Sequence, residues 1–123
     1  MVKDIAFFAY SVRDVPRARA FYGDLLGLQP GDSFGDHWIE FNVGHATFGI
    51  GDGSALGFEP GASNGAAFEV DDLKAMSERL KAGGVEVGDP HEFPACVVCF
   101  ASDPDGNRFA LHQRRPATPE NAA

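Results

Sequence analysis

Residues 12–28 have the sequence VRDVPRARAFYGDLLGL, and residues 65–80 have the sequence GAAFEVDDLKAMSERL. Both stretches pass from a β-prone segment through an acidic junction, VRD in the first and VDD in the second, into apolar residues at helical spacing. A strand-to-helix junction that occurs twice in one short chain is most simply explained by duplication of one unit. We therefore predict two related halves.

The first half begins with a strand predicted for residues 3–12, which are rich in aromatic and β-branched side chains. Asp14 can cap the following helix with Pro16 in its first turn, and Gly27 can end that helix in a left-handed conformation. Two alternating segments, WIEFNV and ATFGIG, follow on either side of a Gly-His turn that is typical of a tight hairpin. The pattern predicts β-α-β-β, with room for a further short strand at 29–34.

The second half repeats this order. A short strand leads to a helix that either Asp71 or Asp72 caps and that ends at a Gly-Gly pair. Two further strands, 95–101 and 107–113, are joined by DPDG, which suits a type I turn because Pro and Gly occupy its second and fourth positions. Each half has one helix and three or four strands, which predicts an α+β fold. One face of the sheet would pack on the helices, and the other face would be curved and free to bind a ligand.

The length of 123 residues is that of one ordinary domain. We predict a single domain over residues 1–114, made of a first half at 3–51, a Gly-, Ser- and Pro-rich connector at 52–64 and a second half at 65–113. Residues 115–123, with two prolines and a small polar ending, are predicted to form a flexible tail.

The formal net charge of -8 makes nucleic acid a poor partner, because non-specific binding to a phosphate backbone depends on clustered Lys and Arg. No stretch approaches the roughly 18 apolar residues of a membrane span, and Asp4 lies where a signal peptide is basic. We therefore predict a cytoplasmic protein with no membrane partner. Cys96 and Cys99 are expected to be reduced and buried, because their spacing in a strand turns them to opposite faces.

Three motifs together point to a family: VRDVPRARAFYGDLLGL at 12–28, GAAFEVDDL at 65–73 and SDPDGNRFALHQ at 102–113. In this combination the chain resembles the vicinal oxygen chelate (VOC) superfamily, the group of glyoxalase I, bleomycin-resistance proteins and extradiol dioxygenases. The resemblance implies paired βαβββ modules whose mixed sheets curl into a cup, the glyoxalase/bleomycin resistance/dihydroxybiphenyl dioxygenase fold. It also implies a second copy of the chain as partner, so we predict a homodimer.

Metal-using members of this family carry one His or Glu ligand on each of four strands. The resemblance places those positions at Phe7, Gly49, Gly65 and Ala110. None of these residues offers the side-chain N or O donor that a divalent ion requires. We therefore predict no metal and no other cofactor, and any reaction would proceed without the family's usual ion.

Alternation along the strands assigns faces, because residues two apart share one side of a sheet. The face predicted to pack on the helices includes Phe8, Tyr10, Ile39, Phe41, Phe68 and Phe109. The opposite face carries the candidate site residues Phe7, Trp38, Glu40, Asn42, Glu69, Arg108 and His112. Phe7 and Trp38 would form an aromatic wall for a planar ligand, although Phe7 alternatively fills the space that a metal would have occupied.

His112 is the candidate acid or base, because an unperturbed imidazole titrates near neutrality and can move a proton on a bound carbonyl compound. Glu40 or Glu69 would orient it or act as the base; alternatively His112 makes a single hydrogen bond at the rim. Arg108 would clamp a carboxylate or phosphate, or pair with one of these two glutamates.

These features favour a metal-independent binding protein that sequesters an aromatic or cationic small molecule, contacted by Phe7, Trp38, Asn42, Glu69 and Arg108. The alternative is a metal-free isomerase, epimerase or glyoxalase-like lyase, in which His112 and Glu40 are catalytic. Whether the protein is an enzyme therefore stays open. A third possibility is a regulatory module whose concave face meets another protein.

Overall fold

The computed structural model describes residues 1–116 and divides the chain into two compact units. The first comprises Met1–Asn64 with Asp103–Asn107, and the second comprises Gly65–Ser102 and the described residues from Arg108 onward. Each unit is a four-stranded mixed sheet with one main helical segment, so the predicted α+β fold of two βαβββ modules is confirmed. Positions 117–123 of the predicted tail lie outside the described residues.

The strands of the first unit are β1 (Phe8–Ser11), β2 (Gln29–Phe34), β3 (Trp38–Val43) and β4 (Ala46–Gly51). They lie in the order β1-β4-β3-β2, with β1 parallel to β4 and the other neighbours antiparallel. Between β1 and β2 the chain forms α1 (Val15–Arg19), which continues as a π-helical segment at Ala20–Leu25. The short strand predicted at 29–34 is therefore present.

Local chemistry fixes both ends of this helical segment. The Asp14 carboxylate accepts a hydrogen bond from the Arg17 N–H at 3.1 Å, and Gly27 follows the last turn with φ of 83°. The predicted cap and the predicted stop are both confirmed. The apolar core of the unit consists of Tyr10, Val12, Val15, Ala18, Phe21, Tyr22, Leu26, Ile39, Phe41, Phe48 and Ile50.

The second unit contains the strands β5 (Ala66–Glu69), β6 (His91–Glu92), β7 (Cys96–Ser102) and β8 (Arg108–Arg114), and the helix α2 (Leu73–Ala82). The strand order is β5-β8-β7-β6, with β5 parallel to β8. Of the two candidate caps for α2, Asp72 is the one used, because its carboxylate accepts from the Ala75 N–H at 3.0 Å. The core residues are Phe68, Leu73, Leu80, Cys99, Ala101, Phe109, Ala110 and Leu111.

The turn between β7 and β8 belongs to the first unit, and its first residue, Asp103, accepts hydrogen bonds through both carboxylate oxygens. One carboxylate oxygen accepts from the Tyr22 hydroxyl at 2.7 Å and from the Asn107 amide at 2.9 Å. The other accepts from the backbone N–H groups of Asp105 and Asn107, at 3.0 and 2.9 Å. Burial and the neighbouring Asp103 carboxylate raise the pKa of Tyr22 far above its usual range, so Tyr22 remains a donor in this bond.

Asn107, which has no exposed surface, extends this network to the backbone. Its side-chain amide donates to the Ser11 carbonyl at 2.8 Å, and its side-chain oxygen accepts from the Ser63 N–H at 2.8 Å. The turn thus provides a hydrogen-bond partner for a buried carbonyl group at the end of β1 and for a partly buried N–H group in the connector.

Several details of the predicted elements are wrong. The first strand covers Phe8–Ser11 rather than residues 3–12. Phe8, predicted to pack on the helix, is 48% exposed, because it starts an edge strand and α1 packs on β3 and β4. Cys96, predicted to be buried, is partly exposed because it begins β7 at the end of the sheet, although neither cysteine is bridged.

Two short elements were not located from the sequence pattern, although the βαβββ module implied a strand in the place of the first. β6 pairs with β7 over His91 and Glu92, and the connector contains a 3-10 turn at Ser54–Leu56. Both are too short for periodicity to reveal. Among the described residues, no helix has the length and apolar character needed to cross a bilayer.

Candidate functional site

The first unit contains a cavity of about 360 Å³ beside β1 and β4. Its larger apolar and aromatic lining residues are Phe7, Tyr10, Trp38, Leu56 and Phe58. Its polar lining residues are Ser11, His37, Asp52 and Ser63. Strand residues and connector residues therefore build one cavity together.

The floor of this cavity is the indole of Trp38, which covers two glycines of β4. A Cβ added at Gly49 would overlap the indole Cζ2 and Cη2 atoms, and one added at Gly51 would lie 3.1 Å from Cε3. The indole N–H donates to Glu40 Oε2 at 2.7 Å, which holds the ring in place. Phe7 meets the indole edge-to-face, with the ring centroids 5.2 Å apart.

Ser11, at the end of β1, holds the connector against the cavity. Its hydroxyl donates to the Phe58 carbonyl at 3.0 Å and accepts from the Gly53 N–H at 3.0 Å. Its backbone N–H donates to the Ser63 hydroxyl at 3.0 Å. Because Ser11 is 6% exposed, these bonds are shielded from competing water. One buried serine thus positions the connector on both sides of Phe58.

The connector brings Phe58 and Asp52 into the lining. Phe58 packs on Gly53, where an added Cβ would lie 3.1 Å from the Cβ of Phe58. The Asp52 carboxylate accepts from the Ser54 N–H at 3.0 Å. Hydrogen bonds from the Ser54 side chain and backbone lower the pKa of Asp52, so this carboxylate is ionised at neutral pH.

The positions that the family resemblance assigns to metal ligands do not fit a divalent ion. No side-chain N or O atom is present at these positions, which are Phe7, Gly49, Gly65 and Ala110. The indole of Trp38 also covers Gly49. Within residues 1–116, no group of three or more His, Cys, Asp or Glu side chains is placed to hold an ion. These four positions therefore provide no side-chain ligands with which a metal ion could be held for a reaction.

The second unit carries a hydrogen-bonded imidazole and carboxylate. His112 Nδ1 lies 2.5 Å from Glu69 Oε1, and the other Glu69 oxygen accepts from the Arg114 N–H at 2.8 Å. Burial acts to raise the pKa of Glu69, but the hydrogen bonds from Arg114 and His112 outweigh it, and the pKa is lowered. An ionised carboxylate on Nδ1 leaves Nε2 as the ring nitrogen that can accept a proton.

Phe100 lies on the same side of this sheet, with two cationic or ionisable groups around it. The Arg108 guanidinium is 5.2 Å from the Phe100 ring centroid, a cation–π contact, and the His91 ring centroid is 5.8 Å away. Phe100 pairs with Ala110 across β7 and β8 and is 40% exposed. Neither Phe100 nor His91 was predicted at the site, because the register of β7 and the position of β6 were unknown.

The predicted site residues are divided between the two units. The first unit holds Phe7, Trp38, Glu40 and Asn42, and the second holds Glu69, Arg108 and His112. Of the two carboxylates predicted as partners of His112, Glu69 makes the hydrogen bond. Glu40 instead accepts from the indole. Asn42 is not among the described lining residues of the cavity. Its side chain lies beside Gly31 of β2, where an added Cβ would be 3.2 Å from Asn42 Oδ1.

Sequence reasoning missed the contribution of the connector, which it treated as a linker because residues 52–64 show no periodicity. Asp52, Leu56 and Phe58 all line the cavity. The available signal was the presence of two large apolar side chains in a Gly- and Ser-rich stretch, because a purely solvated linker gains nothing from them.

A βαβββ module that occurs twice, with a small-molecule-sized cavity on the first copy, defines a class of paired-module α+β domains. The sequence model of the Glyoxalase/Bleomycin resistance protein/Dioxygenase superfamily matches residues 4–111. The chain therefore belongs to this superfamily. No curated protein matches the chain.

Solved structures of similar proteins share the fold along almost the whole chain. TnmS3, an antibiotic binding protein from Streptomyces sp. CB03234, has a TM-score of 0.80 and 28% identity, over 93% of this chain and 98% of that one. A glyoxalase/bleomycin resistance protein from the same organism has a TM-score of 0.77 and 30% identity, over 89% and 100%. Lactoylglutathione lyase from Agrobacterium tumefaciens, at 20% identity over 91% and 94%, shares the fold with a TM-score of 0.76.

Proposed function

We propose that the protein is a metal-independent binding protein that sequesters a planar aromatic small molecule in the first-unit cavity. The observation that carries this proposal is the position of Trp38, whose indole replaces the side chain of a family metal position and forms the cavity floor. The volume of about 360 Å³ suits such a ligand, since small-molecule sites measure roughly 300–1,000 Å³. The 28% identity to an antibiotic binding protein supports a ligand of drug size.

The binding energy would come mainly from aromatic contacts. Phe7 and Phe58 are 50% and 64% exposed, so a ligand that covers them removes apolar surface from water. Each favourable ring contact adds about 0.5–1.5 kcal/mol beyond that burial. Trp38 is already held by Glu40, so little side-chain entropy is lost when a ligand packs on it.

Ligand binding can be followed directly, because Trp38 is the single tryptophan of the chain. We expect acridine, a planar tricyclic probe, to quench its fluorescence saturably. Phe58→Ala is expected to weaken binding about tenfold, through the loss of one ring contact and its buried area. Phe93→Ala is the matched control, because Phe93 is 52% exposed in the second unit and is expected to leave the affinity unchanged. Equal affinities for the wild type and Phe58→Ala would rule out the cavity as the binding site.

The hydrogen bond between Glu69 and His112 favours a second candidate function, a metal-free lyase, isomerase or epimerase. His112 Nε2 would take a proton from a carbon next to a carbonyl group, and the carbon's electron pair would move into that carbonyl as an enolate. The same imidazolium would return the proton to a neighbouring atom, so no oxidant or metal is required. Arg108 lies on the same strand as His112 and would stabilise the developing negative charge.

We expect His112→Ala to lower the rate of any such proton transfer by at least about 100-fold, the usual contribution of a general base. The measurement is exchange of carbon-bound protons with D2O, followed by NMR for a panel of small carbonyl compounds. His45→Ala is the control, because His45 is an exposed turn residue in the first unit. An unchanged rate in His112→Ala would remove His112 as the proton carrier.

The sequence-based expectation of a cytoplasmic homodimer is retained as part of this proposal. Both cysteines are free, which suits a reducing compartment. Phe8, the first residue of β1, and Ile5 before it are 48% and 64% exposed, an apolar surface that a second copy of the chain would cover.

A further inference from the structure

We propose that the ligand of the first-unit cavity is a cation and that Asp52 is the residue that selects it. This inference rests on the proposed binding of an aromatic molecule and specifies the charge of that molecule. Asp52 lines the cavity directly after β4 and immediately before Gly53, on which Phe58 packs. The carboxylate is therefore next to the apolar wall that would cover the ligand.

The charged groups around the cavity have an acidic balance. Among the described lining residues, Asp52 and His37 are the acidic and basic side chains, and none is Lys or Arg. Arg13 lies outside this lining, and its positive charge acts on Asp52 from there. Glu40 adds a second carboxylate that contacts the indole of the floor. An anionic ligand would lose its hydration here with no Lys or Arg of the described lining to pair with, which is costly. A cationic ligand would instead gain a counter-charge from the Asp52 carboxylate.

The aromatic lining acts in the same direction as Asp52. The faces of Trp and Phe rings carry negative electrostatic potential, and a cation within about 6 Å of a ring centroid is attracted to them. Phe7, Trp38 and Phe58 all line the cavity. A protonated ring nitrogen or an ammonium group would thus gain from both the rings and the carboxylate, whereas a neutral ring system gains from stacking alone.

The Asp52 carboxylate is also held in position before any ligand arrives. The Ser54 N–H donates to it at 3.0 Å, and Ser54 keeps it ionised at neutral pH. The net charge of -8 attracts any cation to any part of the protein, but salt screens that effect over about 8 Å at physiological ionic strength. The local role of Asp52 is therefore separable from the overall charge.

The test uses three probes with the same tricyclic ring system: 9-aminoacridine, which is a cation at neutral pH, neutral acridine, and the anion acridine-9-carboxylate. Quenching of Trp38 fluorescence gives the three affinities. We expect the wild-type protein to bind the cation most tightly and the anion most weakly. Asp52→Asn is expected to lower the ratio of cation to neutral affinity about threefold to fivefold, the upper range for one exposed ion pair.

Asp71→Asn is the matched control, because it removes the same charge from an exposed position in the second unit. We expect it to leave the ratio unchanged. Equal affinities for the three probes, or an equal fall of the ratio in Asp71→Asn and Asp52→Asn, would overturn the role of Asp52 while leaving aromatic binding intact. Failure of all three probes to quench Trp38 would instead contradict the proposed function itself.

Discussion

Asp103→Ala is expected to lower the free energy of unfolding by about 3–4 kcal/mol, a large share of the roughly 5–15 kcal/mol typical of a whole domain. The substitution removes an acceptor of four hydrogen bonds, from the Tyr22 hydroxyl, the Asn107 side chain and two backbone N–H groups. Asp103 is 5% exposed and Tyr22 has no exposed surface, so water has no access to replace the lost partner. Buried donors without an acceptor account for the cost.

Denaturant unfolding followed by circular dichroism measures this loss. Asp103→Asn is expected to lose about half as much, because its amide oxygen can still accept two bonds but its NH₂ group would face another donor. Asp89→Ala, at an exposed position, is expected to change stability by less than about 0.5 kcal/mol. A loss below 1 kcal/mol in Asp103→Ala, about the net value of a single hydrogen bond, would contradict the network described here.

Gly49→Ala is expected to destabilise the protein by about 2–3 kcal/mol, although it adds a single methyl group. The new Cβ would overlap the indole of Trp38, so the ring must leave β4 and give up its hydrogen bond to Glu40. Overpacking of this kind costs about 1–3 kcal/mol, and the lost hydrogen bond adds about 1 kcal/mol. Because the indole forms the floor of the cavity, affinity for acridine should fall about tenfold or more as well.

A double-mutant cycle isolates the contact. In the Trp38→Ala background the space above β4 is vacant, so Gly49→Ala should then cost little, with a coupling energy of about 2 kcal/mol by circular dichroism. Gly88→Ala is the control, because a Cβ there would lie 3.5 Å from the Phe100 carbonyl oxygen, an ordinary contact. If Gly49→Ala cost the same with and without the indole, the position of Trp38 described above would be wrong.

Much of the fold was predictable because its determinants are local. The Asp14 cap, the left-handed Gly27, the two-residue hairpin and the DPDG turn each depend on residues a few positions apart, and the structure contains all of them. The assignment of Phe8 failed because its burial depends on which strands α1 covers. Which strands the helix covers depends on packing across the whole sheet, so the alternation of apolar and polar residues within one strand cannot predict it.

The candidate site was predictable to a smaller extent. Alternation placed Glu69 and His112 on one side of a sheet, but choosing between Glu69 and Glu40 as the partner required knowing that β5 pairs with β8. The cavity wall at Phe58 was not predicted, because the buried hydroxyl that positions it belongs to Ser11, far away in the sequence. Contacts between distant residues define this site, and spacing within one segment does not encode them.

The allocation of Asp103–Asn107 to the first unit has a consequence for how the chain folds as it is synthesised. At about 5–20 residues per second, roughly 2 to 9 s pass between translation of residue 64 and translation of residue 107. Throughout that interval the Tyr22 hydroxyl, the Ser11 carbonyl and the Ser63 N–H lack the partners they have in the native structure. The amino-terminal part of the chain can therefore reach its native hydrogen bonding only after residues 103–107 have left the ribosome.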